Sequence, residues 1–191
     1  VEYNTCEFTS SSLNKSGVEI DASYATTTVE LNECTQTAMA GLFALEGSKG
    51  TVLVDGYTWV ADGLSKKDGE YYVSNANGLA TLNTMMANMT AGKDTVVNLN
   101  ANIDFVGKTW TPVDSHADKA FSFKELNGNG HTIYNLTING QAMFTRFAGS
   151  GDVTVKNITF DNATVSSNSI NTSILSCHTY QNVLLDNVDV K

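Results

Sequence analysis

The sequence predicts an all-β solenoid, a parallel β-helix carrying one short amphipathic capping helix. Three observations predict it: short strand-like units that recur, an asparagine at the same place in several of them, and a single helical stripe between two repeat regions. Val1-Glu2-Tyr3-Asn4-Thr5-Cys6 returns as Val29-Glu30-Leu31-Asn32-Glu33-Cys34. Later, Thr132-Ile133-Tyr134-Asn135-Leu136-Thr137-Ile138 matches Thr154-Val155-Lys156-Asn157-Ile158-Thr159-Phe160 and then Leu184-Leu185-Asp186-Asn187-Val188-Asp189-Val190.

Each unit has an apolar residue two before the Asn and others one and three after it, so the alternation flips across the Asn, which signals a bend. Asn tolerates the left-handed backbone of a sharp corner, and its amide can bond to an equivalent amide one layer above. Stacked coils therefore place Asn4, Asn32, Asn135, Asn157 and Asn187 in a structural ladder. A repeat of this kind buries its apolar face only against its neighbours. An antiparallel sandwich would predict closer, more regular spacing of about 8–12 residues.

Residues 1–62 read as coils, the end of a preceding module, and 63–73 as a polar connector containing Gly and charge. Residues 74–92 predict the amphipathic cap helix: Leu79, Leu82, Met85, Met86 and Met89 fall on one stripe, with Ser74 or Asn77 as N-cap and Gly92 as stop. Residues 93–191 read as coils of a second module, opened by a strand with Val97, Leu99, Ala101, Ile103 and Phe105 on one face and a turn at Trp110-Thr111-Pro112. A helix followed by a first strand is what covers an open coil end.

Composition agrees. At 191 residues, 41% hydrophobic and 16% charged, the chain is too apolar for disorder, and no apolar run approaches the roughly 18 residues of a membrane span. A formal net charge of −9 opposes attraction to nucleic acid and to anionic membrane surfaces. One Pro against 15 Gly, with abundant Asn and Thr, indicates a turn-rich, strand-rich chain. No charged-then-apolar leader opens the sequence, which reads as a mature product or an excerpt of something longer.

The three cysteines have no zinc-like spacing. Cys6 and Cys34, at equivalent repeat positions, are expected to stack as thiols in the solenoid interior, with an intercoil disulfide as the alternative. Asp114, His116 and Asp118 form the one candidate ligand or acid/base loop, against the reading of an ordinary polar loop. His131, in Gly128-Asn129-Gly130-His131-Thr132-Ile133, reads as part of a structural corner, and the sole arginine, Arg146, as solvated or carboxylate-paired. Cys177 and His178 are adjacent, so on a strand they point to opposite faces. No catalytic residue, metal ligand or cofactor site is assigned. Trp59, Trp110, Tyr57, Tyr71, Tyr72 and Tyr180 would offer sugar-stacking faces if exposed, with core packing the favoured reading for the two tryptophans.

The stretches NLNANIDFVGKTWTPV, FKELNGNGHTIYNLTINGQAMFTRF and VTVKNITFDNATV resemble the start of the pectin-lyase-like right-handed β-helices of bacterial surface proteins, particularly those carrying GLUG-type motifs. The resemblance implies right-handed winding and an extracellular or cell-surface setting, bacterial or phage-associated. Such proteins serve as adhesins, stalks, tail parts and polysaccharide-cleaving enzymes. The expectation is a structural or adhesive module, self-associating head to tail through open coil ends or stacking on adjacent modules, with surface glycans as ligands. A carbohydrate-active lyase or hydrolase is the alternative.

Overall fold

The computed structural model describes residues 1–11, 13–87, 94–112, 123–147 and 151–191. Among them the chain forms a parallel β-solenoid of about six turns with a single short helix. It divides into two compact units, Val1–Val60 and Ala61–Lys191.

In the first unit, coils stack on three faces. Glu2–Asn4 pairs in parallel with Thr27–Asn32, which pairs with Gly50–Val54. Glu7–Thr9 pairs with Thr35–Thr37, and Ser16–Asp21 with Gly41–Glu46. The register puts Val29 on Val52, Ile20 on Leu45 and Tyr3 on Leu31, so like sits on like along each inward column. Val18, Ile20, Val29, Leu31 and Val52 form its core. At Asp55-Gly56, where both φ angles are positive, the chain turns back and Tyr57–Ala61 pairs antiparallel to Gly50–Val54, a hairpin whose twist suits that turn.

The second unit opens on another such hairpin. Leu64–Lys67 pairs antiparallel with Glu70–Val73 across Asp68-Gly69, again with both φ angles positive. Residues 63–73, read from the sequence as a polar connector, are therefore paired structure. Leu64, Tyr71 and Val73 are buried, and the intervening Lys66 and Lys67 disguise that inward face. The helix follows at Ala76–Ala87. Its N-cap is Asn75, whose Oδ1 accepts the Gly78 amide at 2.9 Å, in place of Ser74 or Asn77. Leu79, Leu82 and Met86 are buried beneath it. Met89 and Gly92 lie outside the described residues.

Above the hairpin the coils stack in parallel columns. One runs Tyr71, Val97, Leu126, Val155, Leu185; another runs Ile103, Ile133, Phe160, Val190. A third joins Trp110, Ile138 and Val165, and Phe144–Phe147 pairs with Ser176–Thr179. Inside, Phe123 meets Phe144 and Phe147 edge-on, with centroids 5.2 and 5.4 Å apart, and Trp110 packs on Phe105 and Phe144. Burial of each such ring stabilises by roughly 1.5–3 kcal/mol. The buried indole Nε1 of Trp110 donates to Met143 O at 2.8 Å, so no polar atom is stranded there.

Candidate functional site

The asparagines form hydrogen-bonded stacks, but in more than one column. Asn32 Nδ2 donates to Asn4 Oδ1 at 3.0 Å in the first unit. In the second, Asn187 donates to Asn157 at 3.1 Å and Asn157 to Asn127 at 3.5 Å. Asn135 stands in a separate stack, accepting from Asn162 at 2.7 Å and donating to Asp104 at 2.9 Å. The strand Val153–Asp161 spans two faces: its first half lies on Glu125–Asn127 and its second on Thr132–Tyr134. A phrase of similar appearance thus recurs on different faces, and Asn135 does not stack on Asn157.

Asn135, Asn157 and Asn187 all hold the left-handed φ expected of a corner, between 52° and 54°. In the first unit the strain moves one residue on, to Thr5 and Glu33 at φ 51° and 52°, while Asn4 and Asn32 remain in strands. Next to Asn157, the glycine corner closes tightly. Gly128 N donates to Lys156 O and Gly130 N to Asn157 O, both at 2.8 Å, and a Cβ on Gly128 would meet Asn157 O at 2.3 Å. His131 contributes its backbone there, bonding Gly128 and Thr159.

The final coil departs from the rest. Leu185 and Val190 continue columns in which Val155 and Phe160 are 0% exposed, yet are themselves 54% and 61% exposed. Strand Val183–Val190 has a paired neighbour on one side only among the described residues, so its outer backbone groups are open for pairing.

Titratable groups are scattered. Asp114, His116 and Asp118 lie outside the described residues. Among the described residues no group of three or more His, Cys, Asp and Glu is placed to hold a metal ion. Asp104 is held below the usual carboxylate range, chiefly by the Asn135 amide and then by the Val106 N–H. Asp21 is lowered likewise by Ser23, and with Glu19 and Glu46 it lines a shallow acidic groove of about 340 Å³. Arg146 lies over the Tyr180 ring at 5.4 Å and pairs in register with His178; no carboxylate partner for it occurs among the described residues. Cys6 and Cys34 come together on consecutive coils, half-buried and unbridged.

No helix among the described residues is long and apolar enough to cross a membrane. No protein-family model, curated protein or solved structure matches the chain. Architecture therefore defines it: the chain is a parallel β-solenoid of about six turns with hydrogen-bonded asparagine stacks and, among the described residues, one short helix.

Proposed function

We propose that the chain is a structural or adhesive β-solenoid module, displayed at a bacterial cell surface or on a phage, whose outer coil edges stack on further copies of itself or on adjacent modules of a longer chain. The single observation that carries this reading is the exposure of Leu185 and Val190 in columns that are otherwise sealed. Apolar residues repeated at a coil end call for another coil above them.

The two outer edges match each other. Around the left-handed corner at Asn187 the inward positions are Val183, Leu185, Val188 and Val190. Around the left-handed corner at Thr5 the same offsets hold Val1, Tyr3, Cys6 and Phe8. Strands Glu2–Asn4 and Glu7–Thr9 each pair on one side only among the described residues. Laying Thr5 over Asn187 aligns both apolar alternations and both bends. The same register brings Glu7 over Asp189, so repulsion between those two carboxylates opposes stacking and salt relieves it, while Asn4 over Asp186 sets an amide donor against a carboxylate. The resemblance to pectin-lyase-like surface proteins with GLUG-type motifs supports the surface setting, and the exposed Tyr180 ring is a candidate glycan platform.

Sedimentation velocity over a range of protein and salt concentrations tests the reading. The wild type should associate, more strongly as salt rises, whereas Leu185→Lys and Val190→Lys should remain monomeric with unaltered melting. Wild type and variants all sedimenting as the same monomer would refute stacking between copies.

A further inference from the structure

Cys6 and Cys34 occupy the same place on consecutive coils. They are bracketed by the register pairs Asn4 with Asn32 and Glu7 with Thr35, and Thr35 N donates to Cys6 O at 2.9 Å. Both backbones are therefore fixed at sheet spacing on either side of the thiols. Neighbouring strands lie about 4.8 Å apart, within the roughly 4.4–6.8 Å between Cα atoms that a disulfide spans.

Both sulfurs also reach the same stretch of the first coil. Cys6 Sγ lies 3.5 Å from Asn4 O, while Cys34 Sγ reaches across to Tyr3 O of the first coil at 3.5 Å and to Asn32 O at 3.4 Å. Both are half-buried, so an incoming reagent can reach them, and strand Glu2–Asn4 has only one paired neighbour among the described residues, which leaves room for the small inward shift that bonding requires.

We propose that Cys6 and Cys34 are an oxidative modification site, closing to an intercoil disulfide by exchange with a disulfide of a small thiol or of a thiol oxidoreductase. One protein thiolate attacks a sulfur of the incoming disulfide, whose S–S bond breaks and releases one thiolate. The second protein thiolate then attacks the protein sulfur of the mixed disulfide, forming the Cys6–Cys34 bond and expelling the other thiol. The protein loses two protons and two electrons, and the incoming disulfide gains them as two thiols. Burial, followed by the neighbouring Cys34, holds the Cys6 thiol above its ordinary range, so exchange accelerates in mildly alkaline buffer. The closed bond ties the first coil to the second. The bond closes within one copy and does not rest on the proposed stacking, but Cys6 lies in that stacking register, so the oxidation is run at a dilution where the chain sediments as a monomer.

Cys177, in the second unit with its Sγ 3.1 Å from Gln141 O, supplies the internal control. The full chain is incubated with oxidised glutathione at mildly alkaline pH, then assayed by thiol titration under denaturing conditions, intact mass and non-reducing peptide mapping. Cys6 and Cys34 should disappear together from the thiol count, with a linked Cys6–Cys34 peptide and a mass loss of about 2 Da for the pair. The melting temperature should rise by about 5 °C and fall back on reduction. In Cys34→Ser, Cys6 should instead keep a glutathione adduct. Separate adducts on Cys6 and Cys34 in the wild type, or thiols that stay unreacted in both proteins, would overturn the proposal.

Discussion

The side-chain amide of Asn187 donates to Asn157 Oδ1 at 3.1 Å, each residue sitting at a left-handed corner of its own coil. The bend and the intercoil bond thus depend on one side chain. Leu at position 157 would lose both, being poorly suited to φ 52° and unable to answer Asn127 or Asn187. Asn157→Leu should cost about 3 kcal/mol in denaturant unfolding, and Asn157→Gly, which keeps the bend and loses only the amide, about 1 kcal/mol. Equal costs would separate the corner from the stack.

Gly78 is where the helix closes on the hairpin. A Cβ there would lie 1.9 Å from Gly63 O, and a Cβ on Gly63 would strike the Asn75 cap. The first contact is with backbone, which cannot swing aside, and the second is with a side chain held in place by the Gly78 amide. Gly78→Ala, ordinarily favourable in a helix, should instead destabilise by about 3 kcal/mol, with loss of helical circular dichroism preceding loss of strand signal.

Asp104 links acid stability to the second stack. Its carboxyl is lowered by the Asn135 amide and then by the Val106 N–H. A folded-state pKa below the unfolded one contributes stability above the unfolded value, about 3.9, and that contribution is lost as pH falls through the folded value. Melting temperatures of wild type and Asp104→Asn should therefore differ most near neutral pH and converge in acid. A gap that stays constant from neutral pH into acid would contradict the assignment.

Arg146 and Tyr180 give a prediction on packing. The guanidinium rests 5.4 Å from an otherwise 68% exposed ring. Tyr180→Ala should cost about 0.5–1 kcal/mol, and Tyr180→Phe, which keeps the ring face, almost nothing. Thermal denaturation of the two variants checks this.

Much of this architecture is legible in the residues. The recurring Val-Glu-x-Asn phrase places Cys6 level with Cys34, and the Leu79, Leu82 and Met86 stripe marks the helix. The division of the asparagines is not legible, because Gly128-Asn129-Gly130-His131 lengthens one corner and shifts the face on which the next phrase falls. The hairpin in residues 63–73 left a readable Asp68-Gly69 signal, masked by the charge around it. Leu185 and Val190 look like any core residue in sequence. Their exposure depends on which coil lies above them, and periodicity carries no record of that order.

End-to-end stacking is tested most directly by static light scattering of a concentration series, imaged in parallel by negative-stain microscopy at raised salt. The account predicts a scattering mass that grows with concentration and multi-copy assemblies in the images, both abolished by Leu185→Lys. A monomer mass across the whole series, with single particles alone in the images, would contradict it.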